Sequence, residues 1–451
     1  MVISLFDTLN IPKGREPVIV DYCRTAIGKK RNGKLQRIRG DDMMNAILPE
    51  IVKKNLDPKE LEKLASEGLV DCIIGCNSQV GPMALDIGRT VVLSSHLPIQ
   101  IPGVSINRQC ASGMTTVWFG WQEIALGDKE VVLAGGVEAQ TSLPIMADMT
   151  IVGPGNKPQT VPPNPKIAQH PYIIQKSQEY GERMSGQIAA AELMGKVWNK
   201  KIGNSYEEFR LELDELSVYS HKKAAAPEAI EFRRGEIVPV EVPKLDENGN
   251  PIVDKVGNPI AGQTEIADID EAFRPDTSVE KIQKLPGVVK RKNGYLTAGN
   301  SCPESDGAAI LLLTSRKFAE EHGLKIRGTI SMAANIGTDP ILMLTGPIDV
   351  TPIVMKRAKT SLDEMAFIEI NEAFSTVVKA STYELGLDWK DPRLNKYGGA
   401  IAIGHPTAMT GTRLIGTTLR MLEKFQKDYA YSTLCVGLGM GMGVIVKREN
   451  A

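Results

Sequence analysis

The sequence predicts a layered α/β fold, and three observations carry that prediction. Short apolar runs alternate with stretches of helical periodicity at both ends of the 451-residue chain. Both ends repeat one order of elements: a reactive residue before a helix rich in small residues, then a strand that meets glycines. Between them lies a segment crowded with prolines and glycines. The shared order suggests a duplicated core with an inserted, loop-rich region.

Taken in order, residues 17–22 (PVIVDY) read as a short buried strand. Residues 41–54 place Met44, Ile47, Leu48 and Ile51 at helical spacing. Residues 70–75 are a second strand, followed by a glycine loop and a helix near 84–94. Ser105-Ile106-Asn107 leads into Cys110 and a helix of small and apolar residues. Residues 130–134 (EVVLA) read as a buried strand that ends at Gly135-Gly136. The loop-rich stretch 144–171 follows, then helices over 178–198 and 206–226. Residues 241–266 contain NGNPIVDKVGNPIAG, where Asn-Pro-Ile recurs after eight residues. Turn chemistry at Asn248-Gly249 predicts a hairpin arm, a surface excursion that could serve an interface. Strands resume at AAILLLT, at 326–334 and at FIEI, residues 367–370. A glycine turn, His405, a helix and two strand-like runs over 431–446 close the chain.

The balance of 42% hydrophobic and 24% charged residues is that of a soluble globular protein, and the length suits two or three folding units. A formal charge of −1 gives no global field for nucleic acid. The runs Lys29-Lys30-Arg31 and Lys290-Arg291-Lys292 read as solvated loops, or as neighbours of a phosphate-bearing ligand. No apolar run is long enough to span a bilayer. The first residues lack a secretion signal, and the last tripeptide is not of the peroxisomal type. Six cysteines do not make a disulfide framework, and Cys72 and Cys76 lack partners for zinc, so no metal is expected. The expected compartment is the cytoplasm.

Cys110, in SINRQCASGMTTV, reads as a nucleophile at a strand-to-helix turn, where helix N–H groups would lower the thiol pKa. His405, in GGAIAIGHPTAMTG, is a candidate base. Cys435, in TLCVGLGMGMG, is a third reactive group, and the glycines after it let backbone approach a ligand. Cys23, Cys72 and Cys76 read as small buried hydrophobes. His96, His170, His221 and His322 have no motif around them.

These motifs together resemble the thiolases, the acyl-CoA C-acyltransferases. The resemblance runs through RTAIGK (24–29), NRQCASGM (107–114), AGGVEAQTSLP (134–144), TAGNSCPESDGAA (297–309), NEAF (371–374), GGAIAIGHP (398–406) and CVGLGMG (435–441). It implies a thiolase-like duplicated αβαβα core with an inserted loop domain. The implied division is 1–145 for the N-terminal core domain, completed by 297–315, then 146–296 for a CoA-binding loop domain and 316–451 for the C-terminal core domain.

It also implies the chemistry. Carbon–carbon bond formation or cleavage beside a thioester needs a nucleophile to hold one acyl group and an acid/base at the alpha carbon. Cys110 would be the nucleophile, His405 its base and Cys435 the acid/base. The resemblance assigns His405 and a water held by Asn371 to one oxyanion hole. It assigns the backbone N–H groups of Cys110 and Gly437 to the other. No resident cofactor is implied, since CoA is substrate and product, and a homo-oligomer, dimer or tetramer, is expected.

The chain departs from the family pattern at Leu438, where a glycine is usual, at Thr407-Ala408-Met409-Thr410, and at Cys302, where a serine near the CoA arm is frequent. A reshaped acyl pocket is the simplest account. Arg183, Arg233 and Arg234 are candidates for the CoA phosphates. Two other readings are a ketoacyl-synthase-type condensing enzyme, which Cys435 argues against, and a partner-dependent CoA-binding subunit, to which Leu438 leaves an opening.

Overall fold

The computed structural model describes residues 2–9, 11–142, 150–152, 158–160, 164–255, 257–289 and 294–450. The expected boundary at 145/146 and the run Lys290-Arg291-Lys292 lie outside the described residues. In the N-terminal half, β1 (Pro17–Arg24) leads to α1 (Gly40–Asn55), where Met44, Ile47, Leu48 and Ile51 form a buried stripe. β2 (Val70–Gly75), β3 (Val104–Ile106), α2 (Ser112–Leu126) and β4 (Val131–Ala139) follow. The chain then leaves the sheet through α3 (Pro171–Tyr180), α4 (Gln187–Ile202), α5 (Tyr206–Ala225), α6 (Pro227–Arg234) and the antiparallel pair β5 (Val240–Pro243) and β6 (Thr264–Ala267). It returns as β7 (Ser305–Ser315). The C-terminal half runs β8 (Gly328–Gly337), α7 (Gly346–Ala358), β9 (Phe367–Ile370), α8 (Ser375–Glu384), α9 (Thr407–Phe425), β10 (Tyr429–Val436) and β11 (Met440–Arg448).

The strand order is β9-β10-β11-β8-β1-β7-β4-β2-β3. Among the described residues, β8 and β1 join through the single pair Ile19–Gly328, so two smaller sheets meet edge to edge. Each follows one plan. The first strand pairs antiparallel with the last, the last pairs antiparallel with the strand after the middle helix, and that strand pairs parallel with an earlier one. The helices α2 and α9 pack on each other between the sheets, while α1 and α7 cover the outer faces. The result is the α–β–α–β–α layering that lets each sheet bury both faces. The two middle helices approach through glycines. A Cβ on Gly113 would lie 2.4 Å from Thr412 Oγ1, and one on Gly411 would lie 2.4 Å from the Met114 backbone nitrogen.

Two expectations about elements are corrected. The strand over 130–134 does not end at Gly135-Gly136 but continues to Ala139. Those glycines are interior because neighbouring backbone presses on them: a Cβ would meet Ala309 O at 2.4 Å and Ala408 O at 2.1 Å respectively. The helix expected over 178–198 is two helices, since Gly181 adopts φ +64° and caps α3, and α4 starts after Gly186. The arm is a hairpin as expected, with its repeat forming two successive turns. Asp246 Oδ1 accepts from the N–H groups of Asn248 (2.9 Å) and Asn250 (2.8 Å), and Asp254 Oδ1 accepts from Asn258 N–H (2.8 Å).

Candidate active site

Cys110 lies two residues before α2, and His405 lies two residues before α9. Packing of α2 on α9 therefore brings the two reactive residues to one end of the central layer. At the first turn, Gln109 takes φ +47°, and Ser112 Oγ accepts from Arg108 N–H and donates to Gln109 O. This tight, side-chain-bonded turn aims Cys110 off the helix start, and Cys110 is only 3% exposed.

His405 is held from both sides. Gly404 before it has φ +105°, and a Cβ there would lie 2.4 Å from Ser305 Oγ, so glycine alone fits. Thr410 donates to Pro406 O at 2.8 Å, which leaves its oxygen to accept from His405 Nδ1–H at 2.7 Å. That fixes the tautomer with Nε2 as the free base. Nε2 lies 3.4 Å from Asn371 Nδ2. Asn371 follows β9 directly, and its N–H donates to Thr433 O on β10. Its neighbour Glu372 accepts from Ser220 on α5, Asn395 and the Ile401 N–H, which locks the loop. Asn371 Oδ1 is buried without a protein partner.

Cys435 is fully buried near the end of β10. The turn after it brings the Gly437 N–H to the Cys110 thiol. Cys302, whose N–H donates to Ala373 O at 3.1 Å, stands beside the same pair, so its thiol and those of Cys110 and Cys435 feel one another. Burial raises all three: Cys110 to about 11, Cys302 to about 12 and Cys435 well above the usual thiol value. This corrects the expectation that the helix terminus lowers the Cys110 pKa. The Gly437 N–H does pull it down, but loss of solvent outweighs that pull. Burial, aided by the Arg413 charge, depresses His405 to about 3. The resting site therefore holds a neutral thiol beside a neutral imidazole.

The remaining expected residues divide. Leu438, with φ +66°, sits in the turn between β10 and β11 and is 51% exposed, so its side chain faces solvent while Gly437 before it is buried. Arg183 and Arg234 are exposed. Arg233 is not available to a phosphate. It is buried against Asp270 at 3.0 Å and donates to the carbonyls of Tyr397 and Ala224. A guanidinium committed to a buried network cannot swing to a surface ligand. Three residues escaped the sequence reading. Thr410 orients His405, Arg413 lies behind it, and Gln187, the first residue of α4, puts its amide beside the Cys110 thiol. Of these only Thr410 is named by the sequence analysis, within the departing segment Thr407-Ala408-Met409-Thr410, and without a role.

Residues 17–317 match the thiolase N-terminal domain and residues 324–448 the thiolase C-terminal domain. A 3-ketoacyl-CoA thiolase of Vibrio parahaemolyticus is 31% identical over 437 residues, covering 96% of this chain and 98% of that protein. Among solved structures, the Bacillus anthracis acetyl-CoA acetyltransferase superposes with a TM-score of 0.77 at 26% identity, covering 99% of both chains. The dimeric peroxisomal thiolase of Saccharomyces cerevisiae does so with a TM-score of 0.75 at 26% identity, covering 98% of this chain and all of that one. Among the described residues no helix is long and apolar enough to cross a membrane. With both domains matched across the full layered core, the chain belongs to the thiolase family of acyltransferases.

Proposed function

We propose that the protein is a 3-oxoacyl-CoA thiolase working through an acyl-Cys110 intermediate, in the reversible exchange of 3-oxoacyl-CoA and CoA with acyl-CoA and acetyl-CoA. The observation that carries this reading is the state of His405. Its Nδ1 is held by Thr410, its Nε2 is a free base beside Asn371, and burial keeps the ring neutral. A neutral imidazole can take the proton of a neutral thiol as that sulfur attacks.

In cleavage, Cys110 Sγ adds to C3 of the substrate and its proton passes to His405. The tetrahedral oxygen faces the N–H groups of Cys110 and Gly437. The C2–C3 bond breaks with its electron pair passing to C2, and the enolate oxygen faces His405 and a water held by Asn371. The unpartnered Oδ1 of Asn371 supports that water. The Cys435 thiol protonates C2, releasing acetyl-CoA. CoA then gives its thiol proton to Cys435 and attacks the acyl-cysteine, and Cys110 recovers its proton from His405. The same steps reversed are a Claisen condensation.

Acyl-CoA and CoA are the substrates, with no resident cofactor. The segment 146–296 is proposed to bind CoA, with Arg183 and Arg234 as its phosphate contacts and Cys302 and Leu438 at the acyl and pantetheine end. The domain division at 145, 297–315 and 316 follows from the same reading. A cytoplasmic homo-oligomer is proposed. The terminal strand β3 with its exposed Val104 offers an edge, and the hairpin arm offers a second surface. Mass spectrometry of the native protein mixed with acetyl-CoA should find an acetyl adduct on Cys110, absent in Cys110→Ala. An adduct on Cys302 or Cys435 instead would sink the assignment.

A further inference from the structure

Glu138 is fully buried, and no step above uses it. Its carboxylate collects donors from both halves of the molecule. Oε1 accepts from the Ser78 N–H at 3.0 Å, and Oε2 accepts from the Asn77 N–H at 3.1 Å. Both lie in the loop after β2. Oε2 also accepts from Thr407 Oγ1 at 2.7 Å and from the Ala408 N–H at 3.3 Å, the first turn of α9.

The sheet registers show what place this is. In the N-terminal half the last paired residue of β2, Gly75, faces Gly136, and Glu138 is two residues further on. In the C-terminal half the last residue of β9, Ile370, faces Thr433, and Cys435 is two residues further on. Glu138 and Cys435 thus occupy equivalent places. Each strand end reaches the helix start of the other half. The β10 end brings the Gly437 N–H to Cys110, and the β4 end brings Glu138 to the two residues that follow His405-Pro406.

We propose that Glu138 is a positioning residue for acyl transfer, seating the first turn of α9, and with it His405, against the loop after β2. A carboxylate suits the place because it accepts four hydrogen bonds and donates none, and a negative charge is stabilised at a helix N-terminus. An amide there must turn its NH2 either towards the Ser78 N–H, losing that bond, or towards the Asn77, Thr407 and Ala408 donors together, and in either orientation a buried donor faces a donor. This inference rests on the thiolase reading.

Burial pushes the Glu138 pKa up while the bonds from Thr407, Ser78 and Asn77 pull it down, and its charged form adds to the burial that already holds the Cys110 thiol up. The other titratable groups around that thiol are Cys302 before β7, Cys435 on β10 and His405 before α9. Glu138 is itself faced by Cys76 after β2 and Asp306 on β7. Loss of the Glu138 charge should therefore act on two measurements in opposite directions.

Two rates test this, in folded protein checked by its thermal transition. One is exchange of label between acetyl-CoA and CoA, and the other is alkylation of Cys110 by iodoacetamide across pH. Glu138→Gln should slow the exchange roughly tenfold to a hundredfold, the cost of a small misplacement of a reacting group. The same variant should alkylate faster, with its pH midpoint moved down. Glu138→Asp keeps the charge but shortens the reach, and should slow exchange with the alkylation midpoint in place. If Glu138→Gln does not fold, Thr407→Val removes one donor alone and should slow exchange several-fold at an unchanged midpoint. Exchange within twofold of wild type in the folded Gln variant, or in Thr407→Val where Gln does not fold, would overturn the proposal. So would exchange and alkylation slowing together in the Gln variant, because that pattern marks a collapsed site. No exchange in the wild type would instead remove the thiolase reading itself.

Discussion

In the N-terminal half the place two residues before the middle helix holds Cys110, and in the C-terminal half the same place holds His405. The residue after the strand that pairs parallel with the one following the middle helix is Cys76 in one half and Asn371 in the other. The place two residues past the strand pairing is Glu138 in one and Cys435 in the other. The scaffold thus offers three positions per half, all converging where α2 meets α9. In the proposed mechanism the N-terminal half supplies one reactive sulfur, a packed thiol and a carboxylate clamp. The C-terminal half would then supply a base, a water holder and an acid. The difference teaches that the fold provides the positions and the residue type at each decides the chemistry. A duplicated core can then specialise one half for holding the acyl group and the other for moving protons.

The comparison breaks most sharply at Cys435. In Cys435→Ser, exchange of the acetyl alpha protons with solvent deuterium should fall by roughly 10⁴-fold, the upper end for loss of an acid/base group, since a hydroxyl is far less acidic than a thiol. Label exchange between acetyl-CoA and CoA should persist, because it needs only the acyl step on Cys110. Loss of both together would mean that Cys435 is structural and that the halves do not divide the work.

His405→Asn probes the opposite partner. Acyl exchange should drop by roughly 10²- to 10³-fold, because the attacking thiol loses the base that takes its proton. In the wild type, burial holds the Cys110 thiol at about 11, so its thiolate becomes more abundant as pH rises. Alkylation should accordingly climb about tenfold per pH unit between 7 and 10. A plateau near pH 7 would show a thiolate already formed in the resting site.

Arg233 separates scaffold from site. Arg233→Met should cost about 3 kcal/mol or more of stability, since it strips one cation from buried Asp270, seen as a lower denaturant midpoint. The KM for CoA should stay near that of the wild type. A large rise in KM with stability intact would restore Arg233 as a phosphate ligand. The smallest effect belongs to the crossing of the middle helices. Gly411→Ala places a methyl 2.4 Å from the Met114 nitrogen and should cost about 1–3 kcal/mol, read as a lower Tm. An unchanged Tm would mean that the two halves adjust freely where they meet.

Much of this was written locally. FIEI and VDCIIG are strands because their apolar runs are short, each broken by a single acidic residue, and α1 is a helix because its apolar residues recur at 3.6-residue spacing. Cys110, His405 and Cys435 stand out because each sits beside glycines and small residues, whereas Asn371, in FIEINEAF, is singled out only by the family resemblance. What local pattern could not carry was decided by long-range packing. β4 runs through Gly135-Gly136 because β7 and α9 press on that backbone, and neither lies within 150 residues of it. Arg233 looked like a surface cation until Asp270 and the carbonyls of Ala224 and Tyr397 enclosed it. The Cys110 pKa turned on burial, a property of every element around the thiol, where the sequence exposed only the helix behind it. Glu138 stands in the motif AGGVEAQTSLP, past the expected end of the strand and with no role assigned. Its four donors come from a loop and a helix start that only the closed core brings together, because hydrogen-bond partners distant along the chain exist only once the layers have packed.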